Sequence, residues 1–221
     1  MDVTKILFEK QDAAYRDFTA KLIPTVPRET FIGVRLPDLK ALCKAMTNEE
    51  KADFILNLPH TYHDENILHA FIVSEIRDPR RCLCEVERFL PYISNWSVCD
   101  TMAPKSLTKE KEIFIEKIRS CISSGKTYYI RFGVLMLMKY YLNDEFDPEY
   151  PALVASVVSD EYYVNMMCAW YFATALAKQY DSVIPYLENK RLTQTVHKMT
   201  VRKAVESFRI DDAKKAYLKS L

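Results

Sequence analysis

Glycine is scarce in this chain, with 3 residues in 221. Sheets, barrels and loop-rich folds need glycine at turns and bulges, so the shortage favours helices joined by short connections. Tryptophan is rarer still, with only Trp96 and Trp170. Apolar runs stop well short of the roughly 18 residues a membrane span requires, so no membrane association is expected. The start, Met1-Asp2-Val3-Thr4-Lys5, carries charge where a secretory signal would be apolar. The six cysteines follow no pairing pattern and no C-x-x-C occurs; free thiols in a reducing, cytoplasmic setting are expected. His60, His63 and His69 do not have zinc-ligand spacing and imply surface or capping roles, and Cys82-x-Cys84 lacks the partners of a metal knuckle. No phosphate-binding glycine loop, dinucleotide fingerprint or nucleophile elbow is present. No metal and no cofactor is therefore expected. The formal net charge is only +1, which argues against indiscriminate polyanion binding but leaves room for a local basic stripe.

What is abundant is apolar periodicity of the helical kind. Ile6, Phe8, Ala13, Ala14, Phe18 and Leu22 predict a first helix ended by Pro24 and Pro27. Pro37 opens a second, with Leu39, Leu42, Cys43 and Met46 inward, and Thr47-Asn48-Glu49-Glu50 is a capping sequence. Further helices are predicted over 64–76, from Pro79 towards Leu90, and through Ile113, Ile115, Ile118 and Ile122 to a stop at Gly125. The stretch 128–142 is apolar nearly all round, as a buried central helix would be. Helices follow over about 149–158, 161–180, 192–208 and 211–218. Short helices in antiparallel pairs, separated by Pro- or Asp-rich turns, predict an all-α fold, an α-solenoid of HEAT-like helix pairs, with a closed bundle as the structural alternative. No linker or low-complexity segment interrupts residues 1–221, which are treated as one domain, and a monomer is expected.

The chemistry-bearing residues are few. In Asn95-Trp96-Ser97-Val98-Cys99-Asp100 the indole and the carboxylate are four residues apart, hence on one helix face. An aromatic plate beside an acid suits a positively charged carbon centre. The same pair also fits plain structure: Asp100 can cap the helix that starts near Pro104, or pair with Lys105. Trp170 sits among Met166, Met167 and Phe172, which equally describes a core aromatic. Arg131 opens an apolar helix, where an arginine serves either an internal ion pair, with Asp100 as one possible mate, or a phosphate. The C-terminal third is basic: Lys190, Arg191, Lys198, Arg202, Lys203, Arg209, Lys214, Lys215 and Lys219 outnumber Glu188, Glu206, Asp211 and Asp212. Such a strip is either a solvated helix face or a wall that meets phosphates and releases counterions. Lys105, Lys109 and Lys111 make a second strip.

Several segments resemble the AlkD-type DNA alkylation repair family. Phe31-Ile32-Gly33-Val34-Arg35-Leu36-Pro37-Asp38-Leu39 is similar to its "(Y/F)-I-G-V-R-x-P-x-L" signature, and Asn95–Asp100 to its "N-W-D-x-x-D" segment. Arg131 falls where that family opens a buried helix with an arginine pair, here reduced to one because Ile130 precedes it. Trp170 matches the tryptophan of "G-W-x-x-R-E", and Arg202-Lys203-Ala204-Val205-Glu206-Ser207-Phe208 resembles "R-x-A-I-E-x-F". The order of the segments is kept along nearly the whole chain. The resemblance implies a superhelix of HEAT-like repeats with a concave basic groove for duplex DNA. It further implies excision of cationic N3- or N7-alkylpurines without flipping the lesion into a pocket, unlike most enzymes that act on bases.

On that expectation Asp100 steadies the oxocarbenium-like sugar, Trp96 and Trp170 frame it, and Arg131 holds a flanking phosphate. Lys105, Lys109, Lys198, Arg202 and Lys203 contact DNA. The chain departs from the pattern at Ala173 and Thr174, where the family has an arginine and an acid after the tryptophan. Two other readings remain open: a non-catalytic protein that binds bent or branched DNA, and a protein–protein scaffold.

Overall fold

A computed structural model describes residues 1–221. The chain is all-α, with fourteen α-helices, three short 3-10 turns and no strand. None of the helices is long and apolar enough to cross a membrane. Two compact units divide the chain, Met1–Lys111 and Glu112–Leu221.

Unit 1 contains α1 (Val3–Glu9), α2 (Ala13–Leu22), α3 (Leu36–Ala45), α4 (Asn48–Leu56), α5 (His63–Glu75), α6 (Pro79–Phe89) and α7 (Trp96–Thr101). α5 is its centre: α3, α4, α6 and α7 all pack on it. Its Ile67, Leu68, Ala70, Ile72 and Val73 are buried, at the helical spacing expected. Side chains start most of these helices. Asp12 accepts from the Tyr15 amide, Asp78 from Arg81 and Asn95 from Val98. Thr47 and Glu50 form the reciprocal capping box written in the sequence.

The single first helix predicted from Ile6 to Leu22 is two helices. The amides of Lys10 and Gln11 turn back to the carbonyls of Leu7 and Phe8, and Asp12 then caps a new helix. Apolar spacing ran through this break because residues on either side share a phase, while the decisive cap is one aspartate. α2 buries no residue fully; Phe18 and Leu22 are 59% and 49% exposed rather than inward.

Unit 2 contains α8 (Lys111–Ile122, from its second residue), α9 (Thr127–Tyr140), α10 (Glu149–Ala155), α11 (Tyr162–Lys178), α12 (Tyr180–Glu188), α13 (Gln194–Glu206) and α14 (Asp212–Ser220). α11 is the centre here, packed against α9, α10, α12 and α13. α9 is the buried helix the sequence implies, enclosed from Ile130 to Leu137. Gly133 lets it approach α8: a Cβ there would lie 2.8 Å from the Ile122 side chain and 3.0 Å from the Ile118 carbonyl.

In α8 the inward residues are Phe114, Ile118, Cys121 and Ile122, whereas Ile113 is exposed. α12 escaped the sequence reading. Its Pro185 interrupts the pattern, yet Val183, Ile184, Tyr186 and Leu187 are buried and hold the helix through packing, which overrides propensity.

Candidate active site and nucleic-acid interface

In unit 1, α7 brings the expected pair together. Asn95 caps the helix, its side-chain oxygen accepting from the Val98 amide at 3.1 Å, so Trp96 occupies the first turn and Asp100 the next. Both are half-buried and reach solvent. Both line one cavity of about 260 Å³, together with Tyr15, Phe18 and Leu22 of α2. The Trp96 indole N–H donates to the carbonyl of Leu22 at 3.4 Å. That oxygen belongs to the last residue of α2, where carbonyls lack an intrahelical partner. The ring is therefore tethered at one edge.

The cavity floor explains the Phe31–Leu39 segment. The Asp64 carboxylate, buried at the start of α5, accepts from the amides of Ile32 (2.8 Å), Gly33 (3.2 Å) and Val34 (2.7 Å). Burial pushes its carboxyl pKa up, and those three amides pull the other way. Gly33 adopts φ +93, in the region that favours glycine, and a Cβ there would lie 2.5 Å from the Asp12 carbonyl. Arg35 pairs with Asp12 at 2.7 Å and lies over the Tyr15 ring. These residues build the wall behind Trp96 and Asp100. Nothing in the sequence marks Asp64 as their anchor, since an acid in a first helical turn is ordinary.

His63 and His69 are buried rather than at the surface, which corrects that expectation for them, while His60 is half-buried. His63 lines the same cavity, tilts against the Phe31 ring at 4.6 Å, and is pushed down to about 4 by burial. His69 stacks on Phe89 at 3.8 Å between centroids and is pushed down to about 3, first by burial and then by the neighbouring His60. The Nε2 of His60 and the Nδ1 of His69 are 2.9 Å apart. They serve packing because the first half of α5 is enclosed. Cys82 is buried and Cys84 exposed.

In unit 2, Trp170 is half-buried on α11. Arg131 of α9 lies behind it, with the guanidinium carbon 5.5 Å from the ring centroid. Arg131 is 2% exposed and its Nη1 donates to the Tyr163 carbonyl at 2.7 Å. A phosphate could reach this side chain only if that packing opened. Trp170, Ala173 and Thr174 line a second cavity, of about 240 Å³, together with Lys203, Ser207 and Arg209.

The expected DNA-contacting cations fall into two sets. Lys105 and Lys109, at either end of a 3-10 turn in unit 1, and Lys198 on α13 are exposed and in no ion pair. Arg202 and Lys203 share one acid: Glu206 accepts from Arg202 Nε at 3.1 Å and from Lys203 Nζ at 2.8 Å. Two of the nine basic residues near the C-terminus, Arg202 and Lys203, are thus partly neutralised within their own helix.

A helical chain with a carboxylate and an indole at one cavity and cations around a second indole fits an enzyme of nucleic acids. The sequence model of the DNA alkylation repair enzyme family matches residues 7–208, and the chain belongs to that family. No curated protein matches the sequence. Membership makes the chain a DNA repair protein of an enzyme family, with DNA as its partner.

Proposed function

We propose that the chain is a DNA glycosylase that releases N3- or N7-alkylated purines from duplex DNA, using residues 1–221 as one functional domain. The observation that carries this reading is the α7 pair: Trp96 and Asp100 occupy successive turns, line one cavity and both reach solvent. An N3- or N7-alkylpurine already bears a positive charge. When the bond from sugar C1′ to the purine nitrogen breaks, its electron pair stays with the base, which leaves neutral. No proton has to be supplied to the leaving group. The charge passes to the sugar, as in glycoside hydrolysis, where the Asp100 carboxylate stabilises it and orients a water. That water's oxygen bonds to C1′ and its proton passes to solvent. Trp96 offers its ring face to the cationic sugar. Trp170 is a second aromatic contact to the lesion-bearing strand, held from behind by Arg131. Lys105, Lys109 and Lys198 meet phosphates, with Arg202 and Lys203 adding charge shared with Glu206.

The test is release of 3-methyladenine or 7-methylguanine from methylated duplex DNA. Wild type should release the base. Asp100→Asn should slow release about 10²–10³-fold, the scale for loss of one preorganised charge-stabilising group, while duplex affinity stays within about twofold. Binding without release by wild type overturns catalysis. It would favour a second reading, a family member that binds DNA without excising bases, for which Ala173 and the burial of Arg131 speak.

A further inference from the structure

The cavity beside Trp170 sets two cations and a hydroxyl beside an aromatic ring. α11 supplies one wall, Trp170, Ala173 and Thr174, while the end of α13 and the turn after it supply Lys203, Ser207 and Arg209. It contains no carboxylate. Ala173 is what leaves the space open, since any long side chain there would project into it. The two cations differ in what they can offer. Lys203 already serves Glu206 at 2.8 Å. Arg209 is exposed and in no ion pair. Its backbone N–H donates to Ser207 Oγ at 3.2 Å, which fixes the turn and leaves the Ser207 hydroxyl proton free to donate outward. The carbonyl end of α13 disfavours an anion at this place, so a binding role falls on Arg209, with Lys203 in support.

A guanidinium, an ammonium and a hydroxyl donor beside an aromatic plate match one chemical unit: a phosphate joined to a flat ring. We infer that this cavity is a nucleotide subsite, in which Arg209 and Ser207 hold one phosphate of a DNA strand while the attached nucleoside lies against Trp170. The subsite rests on the reading of DNA as the ligand and adds Arg209 as a binding residue.

The experiment uses the full chain in a Trp96→Phe background, so that the remaining indole N–H resonance is that of Trp170. The probe is a short single-stranded thymidine oligonucleotide, with thymidine nucleoside as the phosphate-free control and methylated duplex DNA in parallel. The oligonucleotide should shift the Trp170 resonance and the nucleoside should not. Arg209→Ala should weaken oligonucleotide binding about tenfold, the scale of a charge-assisted hydrogen bond, with Arg209→Lys recovering part of the loss. Thermal unfolding of both variants identifies a purely structural role, because such a role lowers stability without changing affinity. If Arg209→Ala binds like the parent, or the Trp170 resonance stays put while duplex DNA still binds, the subsite is wrong and the glycosylase reading survives. If the resonance responds through Arg209 but duplex DNA does not bind, the subsite stands and the glycosylase reading falls. If neither nucleic acid binds at low salt, both fall.

Discussion

Each unit carries one tryptophan, and the two rings stand in opposite electrostatic company. Trp96 lies one turn from a carboxylate, and its N–H is tied to the end of α2. Trp170 lies against a buried guanidinium and opens onto a cavity with Lys203 and Arg209. The first arrangement favours positive charge, the second negative. Under the proposed chemistry the same side chain type supports two tasks on nucleic acid: one ring faces the sugar that becomes cationic, the other a strand whose phosphates never change charge. Neighbours, not the indoles, set the division of labour.

Three further experiments break or sharpen this comparison. The largest effect is expected from the buried charges that brace each ring's surroundings. Asp64→Ala leaves three buried amides without their acceptor, each worth about 1–3 kcal/mol, and urea unfolding should show a loss of about 3 kcal/mol or more. Arg131→Leu leaves the Tyr163 carbonyl unpaired and keeps most of the packing volume, so its loss should be smaller, about 1–3 kcal/mol. Equal losses, or a larger one at Arg131, would refute the ranking of the three Asp64 contacts above the Arg131–Tyr163 bond.

Acid comes next. His63 and His69 of unit 1 are held neutral, near 4 and 3, whereas in an unfolded chain they protonate near the ordinary histidine value of 6.5. The unfolded state thus binds more protons in the window below 6.5, and stability is lost as pH falls from about 6.5 towards 4. The slope is at most about 1.4 kcal/mol per pH unit for each histidine. Unit 2 has only His197, partly exposed and lowered by partial burial and by Lys190. Amide hydrogen exchange near pH 5 should therefore show protection lost in α5 before α11 if the units open separately; equal loss removes this asymmetry.

The smallest effect is chemical. Cys84 is the exposed thiol, while Cys43 and Cys168 are pushed up to about 12 by burial. A thiol reagent at neutral pH should label one site rapidly, in unit 1, and the remaining five only in denaturant. Rapid labelling of Cys168 would show that α11 is open.

Much of this was legible in the sequence because helices announce themselves locally. The Thr47–Glu50 cap, the enclosed α9 and the Trp96–Asp100 spacing depend on residues within a few positions of one another. What escaped reading depends on distant partners. The break at Asp12 competes with an unbroken apolar phase, and α12 is held by burial despite Pro185. Asp64 reads as a common first-turn acid, and only the fold shows that residues 32–34 wrap around it. Arg131 looks like any helix-start cation until α11 closes over it. Arg209 lies well beyond Trp170 in sequence, and no local pattern links the two.

The lowered pKa of His63 reaches further than folding. That imidazole lines the Asp100 cavity and at neutral pH is almost wholly uncharged, so it carries no spare proton for a departing base. An undamaged purine, which needs protonation before it can depart, finds no help there. Under the proposed chemistry, fidelity then comes in part from something withheld: this imidazole has no proton ready to push healthy bases out.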